Sequence, residues 1–256
     1  MPNFQSENIE IAYADYGDGP PVVLVHGFAS NGRVNWVDTG WVSTLVEAGF
    51  RAITIDNRGH GQSQKLYDPA FYSARTMAHD VANLIEHLDL GRANLLGYSM
   101  GARISAFTAL DAPEKVRTVT FGGLGINMIR GLSDSSEIIK GLEAPTLKEI
   151  THKTGRQFRI FAEHTGSDLK ALASCMAASR TRISESDVGK ISAPALVAVG
   201  SEDDIGGAPE PLAALLPKGE ALIIDRRDHM RATGDPQFKK GVLSFLEREN
   251  ELIRSA

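Results

Sequence analysis

Apolar and polar positions alternate from Ile9 to Tyr16, the period-two pattern of a strand with one buried face, and Asp18-Gly19-Pro20-Pro21 then turns the chain. Short continuous apolar runs follow at Val22–Val25, Ala52–Ile55, Ala93–Leu96, Val116–Phe121, Ala195–Val199 and Ala221–Ile224. Runs of this length between turn signals predict parallel strands buried on both faces. Helical periodicity fills the gaps at about residues 36–48, 74–89, 100–110, 208–215 and 236–247. The last of these has a defined start, with Asp235 as N-cap and Pro236 in the first position. Strand and helix in alternation predict an α/β fold: a mostly parallel sheet with helices on both faces and a site at the carboxyl ends of its strands.

Between Phe121 and Ala195 the alternation stops. That stretch has no strand pattern but three helical ones. The first covers Ser136–Leu142, the second is marked by Leu147, Ile150, Phe158 and Phe161, and the third by Leu169, Leu172, Cys175 and Met176 with Asp168 near its cap. The expected organisation is therefore one core built from residues 1–123 and 192–256, with a small helical cap inserted over 124–191 and seated above the strand ends.

Composition narrows the function classes. Of 256 residues 42% are apolar and 23% charged, which excludes a disordered, collagenous or coiled-coil chain. A net charge of −5, with no basic run, makes nucleic acid a poor partner. The one cysteine, Cys175, allows neither an internal disulfide nor a multi-cysteine metal site, and no residue set for a metal or organic cofactor is visible. Met1-Pro2-Asn3-Phe4-Gln5 is no export signal and no run of 18 apolar residues occurs, so the expectation is a cytoplasmic protein that does not engage a membrane. Oligomeric state leaves no mark in the pattern.

The chemistry begins at Gly97-Tyr98-Ser99-Met100-Gly101, between the strand ending at Leu96 and the helix after it. A sharp strand-to-helix turn strains the serine backbone, and glycine two places on either side lets strand and helix approach. The turn would hold the Ser99 hydroxyl above the sheet at a helix N-terminus. A serine nucleophile needs a base. Of the seven histidines, His229 alone lies in the loop after the last strand, whereas His79 and His87 sit on the 74–89 helix and read as helix-surface or interface residues. The base in turn needs a carboxylate to orient it. Gly200-Ser201-Glu202-Asp203-Asp204 follows the Ala195–Val199 strand, with Asp203 the first choice, Asp204 the second and Glu202 a solvated neighbour. Asp228 reads as a surface charge beside the base. An oxyanion hole would take backbone N–H groups from Met100 and from Phe28, in His26-Gly27-Phe28.

These residues together resemble the α/β-hydrolase superfamily, in its capped branch of esterases, lactonases, carbon–carbon hydrolases and perhydrolases. Asp56-Asn57-Arg58-Gly59-His60-Gly61-Gln62-Ser63 is similar to that branch's Asp-x-Arg-Gly-His-Gly-x-Ser turn, to which a structural role falls. The resemblance implies an eight-stranded sheet. It also implies a cofactor-independent serine hydrolase that cleaves small-molecule carboxylic esters through Ser99, His229 and Asp203 and an acyl-enzyme. The alternatives are a carbon–carbon bond hydrolase or lactonase of aromatic-compound catabolism and, in another class, a non-catalytic small-molecule receptor. Two departures matter: Asp228 stands where many relatives have glycine, and the serine nucleophile differs from the aspartate of haloalkane dehalogenases and epoxide hydrolases. In the cap, Arg156, Arg159, Arg180, Arg182, His152 and His164 could meet a substrate carboxylate, but a solvated helix face is the better explanation for them; Met128, Ile138, Ile139, Phe158 and Phe161 could line an acyl pocket, although cap-to-core packing explains most of them equally well.

Overall fold

A computed structural model describes residues 1–131 and 134–254, with the backbone alone for 252–254. Its strands are β1 (Asn3–Ser6), β2 (Ile9–Tyr16), β3 (Pro21–Val25), β4 (Arg51–Ile55), β5 (Ala93–Tyr98), β6 (Val116–Gly122), β7 (Ala195–Gly200) and β8 (Gly219–Ile224). The helices before the long insertion are α1 (Trp41–Glu47), α2 (Ala74–His87) and α3 (Met100–Asp111). Within it lie α4 (Asn127–Arg130), α5 (Ser135–Glu143), α6 (Lys153–His164), α7 (Leu169–Ala178) and α8 (Glu185–Val188), and α9 (Glu210–Ala213) and α10 (Pro236–Arg254) follow.

The strands form one sheet in the order β1-β2-β4-β3-β5-β6-β7-β8. β1 and β2 run antiparallel to their neighbours, and every pair from β4 to β8 is parallel. The chain thus has the eight-stranded α/β-hydrolase sheet. Apolar patterning identifies seven of these strands, and β1 escapes it because only Phe4 of its four residues is a large apolar group. Side chains alternate faces along each strand, and both faces are covered, which is why β3 and β7 read as unbroken apolar runs. Val23, Val25, Val119 and Phe121 pack against α2 and α3, while Val22, Leu24 and Leu196 pack with Trp36, Trp41 and Phe238 on the opposite side.

Three expectations change. β8 is not buried on both faces: it is the edge of the sheet, Ala221 is exposed and Ile223 keeps half its surface. The helical pattern at 36–48 splits into a wide turn over Arg33–Val37 and α1, and that at 208–215 contracts to the single turn α9. Leu147 and Ile150 precede α6 in a separate turn, because Arg156 of α6 donates to the Leu147 carbonyl at 2.6 Å and folds it back. The caps at Asp168 and Asp235 form as expected, each carboxylate accepting from a first-turn amide, Ala171 at 2.9 Å and Gln237 at 2.7 Å.

The inserted helices share the core. Ile138, Leu142, Ala162, Leu172, Cys175 and Met176 belong to the same buried cluster as Val25, Phe28 and Met100. Hydrogen bonds pin the insertion too: Thr165 Oγ1 donates to the Ala29 carbonyl at 2.8 Å, and Ser174 Oγ to the Tyr67 carbonyl at 2.9 Å. Among the described residues no helix is long and apolar enough to cross a membrane.

The Asp56–Ser63 turn is a buried polar brace. Asp56 accepts from the amides of Gly32 and Gln62, both at 2.7 Å, and Asn57 donates its amide to His26 Nε2 at 3.0 Å. Arg58 forms a two-pronged pair with Asp80 at 2.7 Å on each arm, both side chains 2% exposed, and Ser6 Oγ supplies a further donor to Asp80. Such a pair contributes little net stability over an apolar packing, but removing one partner strands the other charge in the interior and costs ~3–5 kcal/mol.

Candidate active site

The loops after β3, β5, β7 and β8 all leave the same end of the parallel sheet, and each brings one expected residue. The turn between β5 and α3 places Ser99 at φ 54°, ψ −110°, a conformation that side chains rarely adopt. Its flanking glycines are steric requirements. A Cβ on Gly101 would lie 1.9 Å from the Val25 carbonyl oxygen, and one on Gly97 would lie 2.2 Å from the Gly101 oxygen. No larger residue fits between strand and helix at this spacing.

His229 reaches across 130 positions to set Nε2 3.0 Å from Ser99 Oγ, and its Nδ1 lies 2.8 Å from Asp203 Oδ2. The ring faces a carboxylate on one side, so the proton belongs on Nδ1 and Nε2 is the acceptor toward the serine. Asp203 is held in turn: Oδ1 accepts from the amides of Ile205 at 2.9 Å and Gly206 at 2.7 Å, and its side chain is fully buried. Asp204 and Glu202 instead stand exposed at the rim of the cavity. Asp228 also reaches the cavity wall, but its Oδ1 is occupied by the amides of Met230 and Arg231, at 3.1 and 2.8 Å, so the carboxylate caps its own turn. Tyr98 was silent in the sequence. It donates its hydroxyl to the His229 carbonyl, with its ring 5.5 Å from the imidazole, and so fixes the loop that carries His229.

The loop after β3 is fixed on both sides of Gly27. The Gly27 carbonyl accepts from His26 Nδ1 at 2.7 Å and from the Ser30 amide at 3.3 Å, and the Gly27 amide donates to Asn35 Oδ1 at 3.0 Å. In a trans peptide the carbonyl and the next amide point to opposite sides, so the Phe28 N–H faces away from His26. Met100 is the first residue of α3, and its amide is one of those a helix leaves without an intrahelical acceptor.

Behind this loop lie two buried histidines. Burial pushes His26 down to about 4; burial, with His26 nearby, pushes His60 down to about 3. Their ring centroids are 5.2 Å apart. Both are neutral in the folded chain at pH 7, whereas an unfolded histidine takes up a proton near pH 6.5. The unfolded state therefore binds more protons as the pH falls, and stability is complete above about pH 6.5 and declines from there toward pH 4. Between pH 7.5 and pH 5.0 the loss is expected to be about 2 kcal/mol per histidine, read as a fall in the urea midpoint. His60→Gln is expected to remove about half of that slope, and equal midpoints at the two pH values would refute the account.

A cavity of about 720 Å³ opens above Ser99 and His229. Phe28, Val34, Phe158, Phe161, Ile205 and Met230 give it apolar walls, and its charged lining is mainly acidic, Glu202, Asp204 and Asp228 against Lys153. Of the residues in the insertion expected as possible partners of a carboxylate, His164 lines it and the others do not. Arg159 is buried among the Gly141, Leu142 and Ala144 carbonyls, Arg156 folds onto Leu147, and Arg180 lies over the Phe28 ring at 5.9 Å. Arg182 packs on Gly131, and His152 occupies the N-cap of α6. Of the apolar candidates, Phe158 and Phe161 line the cavity, whereas Met128 and Ile138 are fully buried in the core. Asn35, which no motif singles out, is a further lining residue.

The alpha/beta hydrolase fold family's profile matches residues 20–142. A non-heme chloroperoxidase of Kitasatospora aureofaciens is 41% identical over 95 residues, which are 37% of this chain and 33% of that protein. The chain spans only 33–39% of the length of the curated relatives it first matches. Among solved structures, an esterase of Exiguobacterium antarcticum superposes with a TM-score of 0.80 at 21% identity, covering 96% of this chain and 98% of that one. A bromoperoxidase of Bacillus anthracis gives 0.70 at 25% identity, over 93% and 96%.

Proposed function

Because the chain belongs to the α/β-hydrolase superfamily, we propose that Ser99, His229 and Asp203 form the catalytic triad of a cofactor-independent serine hydrolase acting on carboxylic esters. The observation that carries this reading is the continuous relay from Ser99 Oγ through both ring nitrogens to a buried carboxylate, at 3.0 and 2.8 Å. Ser99 attacks the ester carbonyl while His229 Nε2 takes the hydroxyl proton. Asp203 stabilises the imidazolium, and the amides of Phe28 and Met100 receive the oxyanion. The imidazolium returns the proton to the departing alcohol, and an acyl-enzyme remains. Water, deprotonated by the same nitrogen, then releases the acid. Helix α6, which lines this cavity with Phe158, Phe161 and His164, acts as its cap.

The acidic rim adds a charge preference. Glu202, Asp204 and Asp228 repel anionic substrates from the mouth, so neutral esters are favoured. The test is a comparison of 4-nitrophenyl butyrate with 4-nitrophenyl hemisuccinate. The neutral ester is expected to show a kcat/KM about tenfold higher at low salt, with the gap narrowing as salt screens the rim. A chain that releases no nitrophenol from butyrate or from acetate ester is not an esterase, and one that binds esters without turnover is a receptor on this fold.

A further inference from the structure

Ser30 is buried, with 3% of its surface exposed, and it lines the cavity above Ser99. Its hydroxyl makes no hydrogen bond among the described residues, yet Oγ is not one of the unpartnered polar atoms sealed in the interior, so the little surface that Ser30 keeps includes Oγ. Among the other polar groups of the wall, Thr39 Oγ1 donates to the Asn35 carbonyl at 2.7 Å, Tyr98 donates to the His229 carbonyl, Thr233 lies against the Tyr98 hydroxyl, and Asn35 Nδ2 is closed off from the cavity. Lys153, Gln157 and His164 are exposed, so water serves them with or without a ligand. Ser30 is also firmly placed. Gly27-Phe28-Ala29-Ser30 is a tight turn closed by the Ser30 amide on the Gly27 carbonyl at 3.3 Å, with Ala29 at φ 60°, and Thr165 Oγ1 holds the Ala29 carbonyl at 2.8 Å. Such a turn brings its first and last Cα atoms within about 7 Å, and its first residue packs on the nucleophile, since a Cβ built on Gly27 would lie 3.5 Å from Ser99 Cβ.

We propose that Ser30 is a specificity-determining residue whose Oγ donates to a second oxygen on the acyl chain of the substrate. The assignment rests on the triad reading above. Water in the cavity serves this hydroxyl until a substrate expels it, and the substrate then either supplies an acceptor or leaves a buried donor unpaired. The order of the sheet decides which part of the substrate meets it. β3 flanks β5 on one side, whereas β6, β7 and β8 lie on the other. The leaving alcohol must lie against His229 Nε2, which comes from the β8 side, to receive its proton, so the chain that extends toward the loop after β3 is that of the acid. Ser30 stands two residues beyond the amide of Phe28, a span of at most ~7 Å, which puts an oxygen two to four bonds from the reacting carbonyl carbon within its reach. The substrate class is accordingly an ester of an alkoxy, hydroxy or keto acid rather than of a plain alkanoic acid.

The probes are 4-nitrophenyl esters that carry one ether oxygen at successive positions, the methoxyacetate, the 3-methoxypropanoate and the 4-methoxybutanoate, each set against the all-carbon ester of equal length, the butyrate, the pentanoate and the hexanoate. Each kcat/KM ratio is divided by the ratio of the hydroxide-catalysed rates, which removes the difference in intrinsic reactivity. One of these oxygens is expected to give the wild-type chain a preference of about fivefold, the worth of one neutral hydrogen bond. Ser30→Ala removes the donor, and that preference is expected to fall to about one or below. A loss that touches both esters of a pair alike, as from a merely structural role, cancels in the ratio. Where the alanine variant fails to fold, Ser30→Cys, close to serine in shape but a weak donor, takes its place, and the ratio must fall likewise. Corrected wild-type ratios near or below one for every pair, or a preference that survives the substitution, overturn the assignment. If Ser99→Ala hydrolyses the esters as fast as wild type, it is the triad reading that fails; if hydrolysis depends on Ser99 and the ratio does not move, only the role of Ser30 does.

Discussion

Replacing Ser99 by alanine, or His229 by alanine, is expected to lower kcat for an aryl ester by ~10³-fold or more, because each substitution removes a member of a unit that works only when complete. Without the hydroxyl there is no acyl-enzyme. Without the imidazole Ser99 Oγ loses the nitrogen 3.0 Å away that would take its proton, and Asp203 is held on the far side of the ring. Folding is expected to survive the serine change. Ser99 sits at φ 54° and, among the described residues, its hydroxyl bonds only to His229, so alanine meets the same backbone strain and leaves no other described group unpaired. Circular dichroism and the thermal midpoint check this directly. A fluorophosphonate should add once per chain, and peptide mapping should place it on Ser99. A folded variant that keeps more than about a tenth of wild-type activity, or a label found elsewhere, would move the nucleophile.

Asp203→Asn is the second large effect, expected at ~10²–10⁴-fold in kcat, against under about tenfold for Asp204→Asn. The asparagine keeps Oδ1, which holds the amides of Ile205 and Gly206, so the loop retains its shape. Its NH₂ then faces His229 Nδ1 and can only donate. The imidazole must accept there, its proton shifts to Nε2, and Nε2 no longer accepts from Ser99. Asp204 stands exposed at the rim, and its loss alters only the charge of the mouth. Rates for the two variants, measured side by side on one ester, decide the assignment, and the reverse order would transfer the role to Asp204.

Tyr98 and Asn35 illustrate what a linear reading misses. Tyr98 occupies a variable place within the Gly-x-Ser-x-Gly turn, and its partner is a backbone carbonyl 131 positions away. Asn35 lies in a wide turn with no motif, and only the fold of the His26–Phe28 loop gives its amide something to hold. The arginines of the insertion make the converse point: their charge reads first as a solvated helix face, yet Arg159 is buried and donates to the carbonyls that end α5. Charge alone does not say whether a guanidinium serves a ligand or the backbone.

The sequence by itself determined the fold class and the triad candidates, because both rest on local physics. Apolar runs such as Val22–Val25 can be satisfied only by a strand covered on both faces, and a serine between Gly97 and Gly101 only by a strand-to-helix turn that leaves no room for side chains. Parallel strands also send their following loops to one end, so Phe28, Ser99, Asp203 and His229 could be expected to meet. Tertiary structure alone decided the rest. Asp203 and Asp204 are neighbours in one turn that sequence can only rank, and it is the direction of the turn after β7 that buries Asp203 against His229 and leaves Asp204 at the rim. The same holds for the charge of the cavity and for the open hydroxyl of Ser30, which depend on where side chains from distant segments point once the sheet has brought them together.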